Sequence, residues 1–387
     1  MIETPSLVDQ YCHGVLRTEL GLGTFEAHLG RSEGPPAPGT TFFDTQTGFA
    51  VRRWCPPLLG LEPHCLPARY LARRRELGVM EAGRRLLRGS GITTYLVDTG
   101  LPGDLTGPAE MARAGEAQAH EIVRLELLAE QVADTSGTVE SFLANLAESV
   151  HAAAVEAVAF TSVAGVRQGL ALAPQPPGPG EVRGAAGRWL ADREVGGTLT
   201  DPVLLRHLLW IAVASGRPLQ LHAGLGEPGN GGSPGRPEAR TWGRIDRTDP
   251  VLLTDFARAT AGLGTDLILL HGYPYHRHAA HLAGIFPHVY ADLGPALART
   301  GARAAAVLAE ILELAPFGKL LFSSGAHGIP ELHVVGARLF REALSRVLGG
   351  WVAEGAWSLG DAQRVASMIA AGTARRVYGL DVTDASG

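Results

Sequence analysis

The sequence predicts an α/β fold, a (β/α)8 TIM-type barrel with a helical insertion between its first two strands. Three observations carry this expectation. Eight short apolar runs alternate with helical periodicity along the chain. No Gly-x-Gly-x-x-Gly turn joins a strand to a helix, which weakens the dinucleotide-binding alternative. Two Pro/Gly-rich stretches break the rhythm, one after the first run and one after the fifth.

The runs fall near Leu7–His13, Ile92–Asp98, Glu121–Leu127, Ala154–Ser162, Pro218–His222, Leu267–His271, Val289–Asp292 and Lys319–Ser323. Between them lie amphipathic patterns. Asp201 followed by Pro202 is a good helix start for Pro202–Ala214, and Ala302–Leu314 and Leu332–Leu348 also read as helices. Strands alternating with helices imply parallel pairing through crossovers, and eight such units favour a closed barrel over an open sheet. Residues 30–90 hold a Pro/Gly-rich segment and an Arg-rich helical region, the expected insertion. Residues 224–245 form a long Gly/Pro loop after the fifth strand, the place where a barrel opens its site, and read as a mobile active-site loop. The whole chain, 1–387, then reads as one barrel domain.

Composition narrows the function. The chain has 387 residues, 45% of them hydrophobic, enough for a large core. Its net charge of -5 and pI near 6.3 argue against a nucleic-acid or polyanion binder, which needs a basic surface. Cys12, Cys55 and Cys65 make no disulfide framework or Cys-x-x-Cys zinc ribbon. No apolar run approaches the ~18 residues of a membrane span, and the N-terminus lacks a secretory pattern, so a cytoplasmic location is expected. Lys319 is the only lysine among the 34 Lys and Arg residues, so any lysine chemistry must use it.

Polar residues cluster at strand ends, where a barrel places its site. Strand one ends Asp9-Gln10-Tyr11-Cys12-His13, strands five and six end in His222 and His271, and strand eight runs into Ser323-Ser324-Gly325-Ala326-His327. Three histidines directly after apolar runs, all on the face where those ends open, suit a divalent transition metal such as zinc. Cys12 should point away from Tyr11 and His13 and serve as core or wall. His276, His278, His281 and His288 read as an exposed helix and not as a metal site.

These residues resemble the amidohydrolase superfamily, in its family-2 branch, and within it the amidohydrolase half of nodulin/glutamine-synthetase-like fusion proteins. The resemblance rests on LVDQYCHGVL, LVDTG, IVRLE, FTSVAGVRQGL, LQLHAGLGE, LLHGYPYHR, VYADL, LLFSSGAHGIPELH and AGTARRVYGL, in that order. It implies metal ligation by His13, His222 and His271. The family's first strand-one histidine is replaced by Tyr11, which can ligate as a phenolate. Its strand-eight aspartate is replaced by Gly325, and a strand-four lysine by Thr161. A carbamoylated-lysine bridge between two metals is therefore ruled against, which leaves one divalent metal, zinc by expectation, or none. With Gly325 silent, His327 and Asp292 are the candidate bases. Asp292 has a helix cap or loop anchor as its alternative role, and His327 an ordinary loop. Arg167, Tyr273, Tyr275, Arg277 and Glu227 are candidate substrate contacts. Arg124 is either another or an ion-pair partner, for example of Glu126.

The activity implied is hydrolysis of a C–N bond, an amide or γ-glutamyl amide of a small polar substrate, by metal-activated water. A glutamine-synthetase-like ligase in the same pathway and a homodimer are the expected partners. Two alternatives stay open: a catalytically impaired binding protein, and a decarboxylase or lyase.

Overall fold

The structure is a computed structural model and describes residues 2–4, 6–30, 32, 34–225 and 244–380. Eight strands form one sheet in the order β1 to β8: β1 (Leu7–Cys12), β2 (Ile92–Asp98), β3 (Gln118–Arg124), β4 (Ala159–Ser162), β5 (Leu219–His222), β6 (Leu267–Leu270), β7 (Val289–Asp292) and β8 (Leu320–Leu321). Every neighbouring pair is parallel. The sheet curls until the two ends meet. Gln10 N–H donates to the Phe322 carbonyl at 3.1 Å, Gly325 N–H to Tyr11 at 3.1 Å, and His13 N–H to Ala326 at 2.8 Å. This is the expected (β/α)8 barrel.

Three strand boundaries differ from expectation. The third strand starts earlier, at Gln118, and stops at Arg124, because Leu125–Thr135 is a helix that begins without a loop. The fourth is only Ala159–Ser162. The Ala-rich run before it continues the helix Val139–Glu156, in keeping with alanine's helix propensity. The eighth is Leu320–Leu321, and Lys319 ends a 3-10 turn just before it. The Lys319 ammonium donates to the Phe286 carbonyl at 3.1 Å and lies over the Tyr290 ring, at the end of the barrel opposite the strand C-termini. By contrast Pro202–Ala214 is the expected helix, with Asp201 accepting from the N–H groups of Val203 and Leu204.

Packing separates three cores. The largest lies between sheet and helices. A second fills the lumen with Val8, Leu96, Ile122, Ile268 and Leu321, and is closed below by Val377 and Tyr378 of the helix Thr373–Tyr378. The third, around Phe25, Phe43, Leu59 and Leu71, belongs to the segment between β1 and β2 and docks on the helix Pro330–Ala353. There Arg74 Nε meets Glu331 at 2.8 Å and Tyr70 donates to the same carboxylate at 2.7 Å. The helix Val79–Ser90, in the same stretch, packs between Pro330–Ala353 and Pro108–Gly115 in the outer ring.

The decisive local feature is in β1. Asp9 is level with Tyr95 and Cys12 with Val97, so β1 carries one extra residue against β2. Such a bulge breaks the two-residue alternation of a strand. Gln10 and Tyr11 both turn into the lumen, whereas Asp9 and Cys12 both face outward.

Candidate functional site

Tyr11 is the centre of the barrel mouth. Its ring lies 5.3 Å from that of His13, 5.2 Å from His222 and 5.3 Å from His271, each contact edge-to-face. The His222 and His271 rings are 4.9 Å apart. All four side chains are buried. His13 Nδ1 is 2.8 Å from the Asp98 carbonyl oxygen. A carbonyl only accepts, so Nδ1 carries the proton and donates it, and Nε2 points at Tyr11 Oη, 3.1 Å away.

The phenol has two further partners that sequence reasoning missed or misassigned. It donates to Asp98 Oδ2 at 2.8 Å, and Arg124 approaches it at 3.3 Å while pairing with Asp98 at 2.5 Å. Asp98 was not singled out, although a carboxylate ending the run ITTYLVD is the same strand-end signal that marked the histidines. Arg124 pairs with Asp98 and not with Glu126, whose carboxylate accepts from Ser162 at 2.5 Å. The reason is direction: Arg124 ends β3 facing the lumen beside β2, whereas Glu126 is already in the next helix.

Asp292 closes the end of β7 as an acceptor for four donors. These are Gln10 Nε2 at 3.1 Å, His271 N–H at 3.2 Å, Ser323 Oγ at 3.0 Å and Gly294 N–H at 3.0 Å. Burial nevertheless pushes its carboxyl up to about 6. His271 has a φ of +66°, in the left-handed region that costs a non-glycine residue, and the Asp292 bond holds this turn. Asp292 is thus bonded as an anchor of the His271 turn would be.

Gly325 has a φ of +56°, and a Cβ built there would lie 2.8 Å from Pro295 Cγ. Thr161 is buried on β4 level with Arg124 and Gln220. His327 is half-buried, its ring 5.8 Å from that of His28 on the β1–β2 segment.

The candidate substrate contacts divide. Arg167 pairs with Glu130 at 2.7 Å and donates to the Leu199 carbonyl at 2.8 Å, tying two outer segments together. Arg277 is exposed and paired with Glu313 at 2.5 Å, again away from the mouth, and Tyr275 stacks on His278. Glu227 and most of the 224–245 loop lie outside the described residues. Tyr273 does line a cavity of about 770 Å³, together with Leu225, His276, Arg299, Arg303 and Glu310. His276 is buried and bonded to Glu310 at 2.8 Å, and His288 lies beyond the helix His276–Ile285, so the expected exposed helix holds only in part. The two arginines lie in the helical segment beyond β7, where the strand-end signal does not reach.

The donors at the mouth are three imidazoles and a phenol, a set that suits one borderline divalent ion. His13 is oriented as a ligand would be, its Nδ1–H fixed by a carbonyl and its Nε2 free of that proton. Thr161 and Gly325 offer nothing to bridge or hold a second ion. Among the described residues the three histidines are not drawn together within 4.8 Å, since the Tyr11 ring stands among them. The residues fit one metal in donor type, with Tyr11 as part of the set.

A family model described as Amidohydrolase matches residues 64–380. Protein fluG of Emericella nidulans is 32% identical over 169 residues, which is 43% of this chain and 18% of that protein, so the match spans less than a fifth of its length. A structure described as that of a metal-dependent hydrolase from Lactobacillus casei superposes with a TM-score of 0.82 at 23% identity, over 98% of this chain and 96% of that one. Uronate isomerase of Thermotoga maritima superposes with a TM-score of 0.60 at 14% identity, over 96% and 94%. These structural likenesses establish the barrel fold.

Proposed function

The chain belongs to the amidohydrolase family, and on that premise we propose that it is a metal-dependent hydrolase acting on the C–N bond of a small polar amide that carries a carboxylate. A γ-glutamyl amide has this chemistry. The observation that carries the reading is the convergence of Tyr11, His13, His222 and His271 at the C-terminal mouth of the barrel. A divalent ion held there, zinc by our reading, supplies Lewis-acid polarisation of the scissile carbonyl.

The chain's own residues do the rest. The Asp98 carbonyl fixes the His13 tautomer, and Asp292 fixes the His271 turn. Asp98 and Arg124 hold the Tyr11 hydroxyl against His13 Nε2. The phenol's proton already points to Asp98, the carboxylate that takes it up when the oxygen joins the donor set. Arg303 in the adjoining cavity offers its exposed guanidinium to a substrate carboxylate. His327 is retained as a second candidate for proton transfer. We place the protein in the cytoplasm, upstream or downstream of a glutamine-synthetase-like ligase, and as a homodimer. No helix among the described residues is long and apolar enough to cross a membrane.

One observation favours a second reading, a catalytically impaired binding protein. Pro295 fills the space that a strand-eight carboxylate would need. Metal content and amine release from a panel of small amides, with and without chelator, decide between them. Release that falls with chelator and with His222→Ala supports the hydrolase. Amide binding with no release, unchanged by chelator, overturns it in favour of the binding protein.

A further inference from the structure

A second donor cluster lies on the opposite side of β1 from the barrel mouth. The bulge that turns Tyr11 inward turns Asp9 and Cys12 outward, against His333 of the helix Pro330–Ala353 and Ser324 beyond β8. One ligand atom from each of Asp9, Cys12 and His333 lies within 4.8 Å of the others. All three side chains are wholly buried. Ser324 completes a fourth corner, its Oγ 2.5 Å from Asp9 Oδ2 and 3.5 Å from His333 Nδ1.

Within the cluster Asp9 accepts from the N–H of Ser324 at 2.7 Å and from its hydroxyl, and the Cys12 thiol lies between Asp9 and the Leu96 carbonyl, 3.5 Å from the latter. His333 Nδ1 faces the same carboxylate, 3.5 Å from Asp9 Oδ2, too long for a good hydrogen bond. A carboxylate, an imidazole and a thiol thus converge on one dry site, a donor set and spacing that suit a divalent transition-metal ion. The Cys12 thiol gives up its proton to solvent on binding, and thiolate plus carboxylate then balance the ion's two charges, with His333 Nδ1 as a neutral ligand. Metal–ligand bonds of about 2.0–2.3 Å put tetrahedral donors roughly 3.3–3.8 Å apart, within a small side-chain adjustment of the spacing present. The S, N, O donor set selects zinc over magnesium or calcium.

We propose that Asp9, Cys12 and His333, with Ser324 beside them, form a buried structural zinc site that clamps the seam between the first and last strands. The ion enters as the barrel closes, since none of the ligands is exposed. The test is metal analysis and cobalt substitution of the full chain. The double variant His222→Ala/His271→Ala should retain one equivalent of zinc through dialysis against chelator, and Cys12→Ser or His333→Gln in that background should lose it. Protein produced with cobalt should show a thiolate-to-cobalt charge-transfer band, because no cysteine faces the mouth. That band is read in otherwise unaltered protein, so it decides even if the variants fail to fold. A metal-free double variant, or cobalt-loaded protein without the band, overturns the proposal. If the hydrolase reading fails instead, unaltered protein and the double variant hold the same single equivalent.

Discussion

Pro295 stands where a side chain at position 325 would have to go: a Cβ on Gly325 would lie 2.8 Å from its Cγ and 2.9 Å from its Cδ. The family's strand-eight aspartate is thus not merely missing from this chain, since the helix after β7 has closed over its place. Gly325→Asp is expected to destabilise the protein by about 1–3 kcal/mol through overpacking and a φ of +56°, and not to raise activity. Chemical denaturation of Gly325→Asp, Pro295→Ala and the double variant gives the check. The double variant should recover part of the loss, because Pro295→Ala removes two of the three crowded atoms. Additive effects would show that Pro295 is not the obstacle.

Tyr11→Phe tests the centre of the mouth. The phenyl ring keeps the edge-to-face packing on three histidines but deletes an oxygen that contacts His13, Asp98 and Arg124. Hydrogen bonds to charged groups contribute about 1.5–3 kcal/mol, and that is the expected stability loss. Metal affinity, measured by competition with a chelating dye, should drop by more than the roughly 10–100-fold that loss of a merely orienting group costs. Arg124→Met should be worse for stability, about 3–5 kcal/mol, since it strands the buried Asp98 carboxylate. A Tyr11→Phe protein that binds metal as tightly as the unaltered chain would remove the phenol from the donor set.

How far this site was legible depended on what each residue type reveals in one dimension. His13, His222 and His271 could be found because each closes an apolar run, and strand C-termini share one face of a barrel. Asp98 has the same signature and was overlooked. The anchoring of Asp292 was open as an alternative, but its four donors come from β1, from just past β6 and β8, and from the turn after β7, and no spacing rule joins those. The bulge in β1 was invisible: strict alternation puts Gln10 with Cys12, and only the register against β2 shows that Tyr11 joins Gln10 inside. The barrel itself was readable, whereas the ends of β3, β4 and β8 were not. An Ala-rich run before β4 and a Leu-rich run after β3 are equally apolar as helix or strand.

Arg303→Ala tests the substrate class. The residue contributes an exposed guanidinium to the cavity beside the mouth. A bidentate contact to a substrate carboxylate would be lost, raising KM about 10-fold or more with kcat little changed, since the contact is equal in ground and transition states. The same variant should leave turnover of an amide lacking a carboxylate unaffected. Equal losses on both substrates would place Arg303 in the cavity's structure and not in recognition.

Asp292 supplies a pH signature of its anchoring role. Its carboxyl is pushed up to about 6 by burial, against an ordinary value near 3.9 in an unfolded chain. Below about pH 4 the group is neutral in both states and burial costs nothing. Between about 4 and 6 the folded protein keeps a proton that the unfolded chain has released, so stability must fall as pH rises through this window. Above about 6 the difference is constant, on the order of 3 kcal/mol. Asp292→Asn cannot ionise and lacks this term, although its amide turns one acceptor into a donor facing other donors. Unfolding free energies of both proteins in chelator, taken from pH 4 to 7, should therefore converge as pH rises if the unaltered chain starts the more stable. Parallel curves would mean that the four donors outweigh burial and that the Asp292 carboxylate is charged throughout.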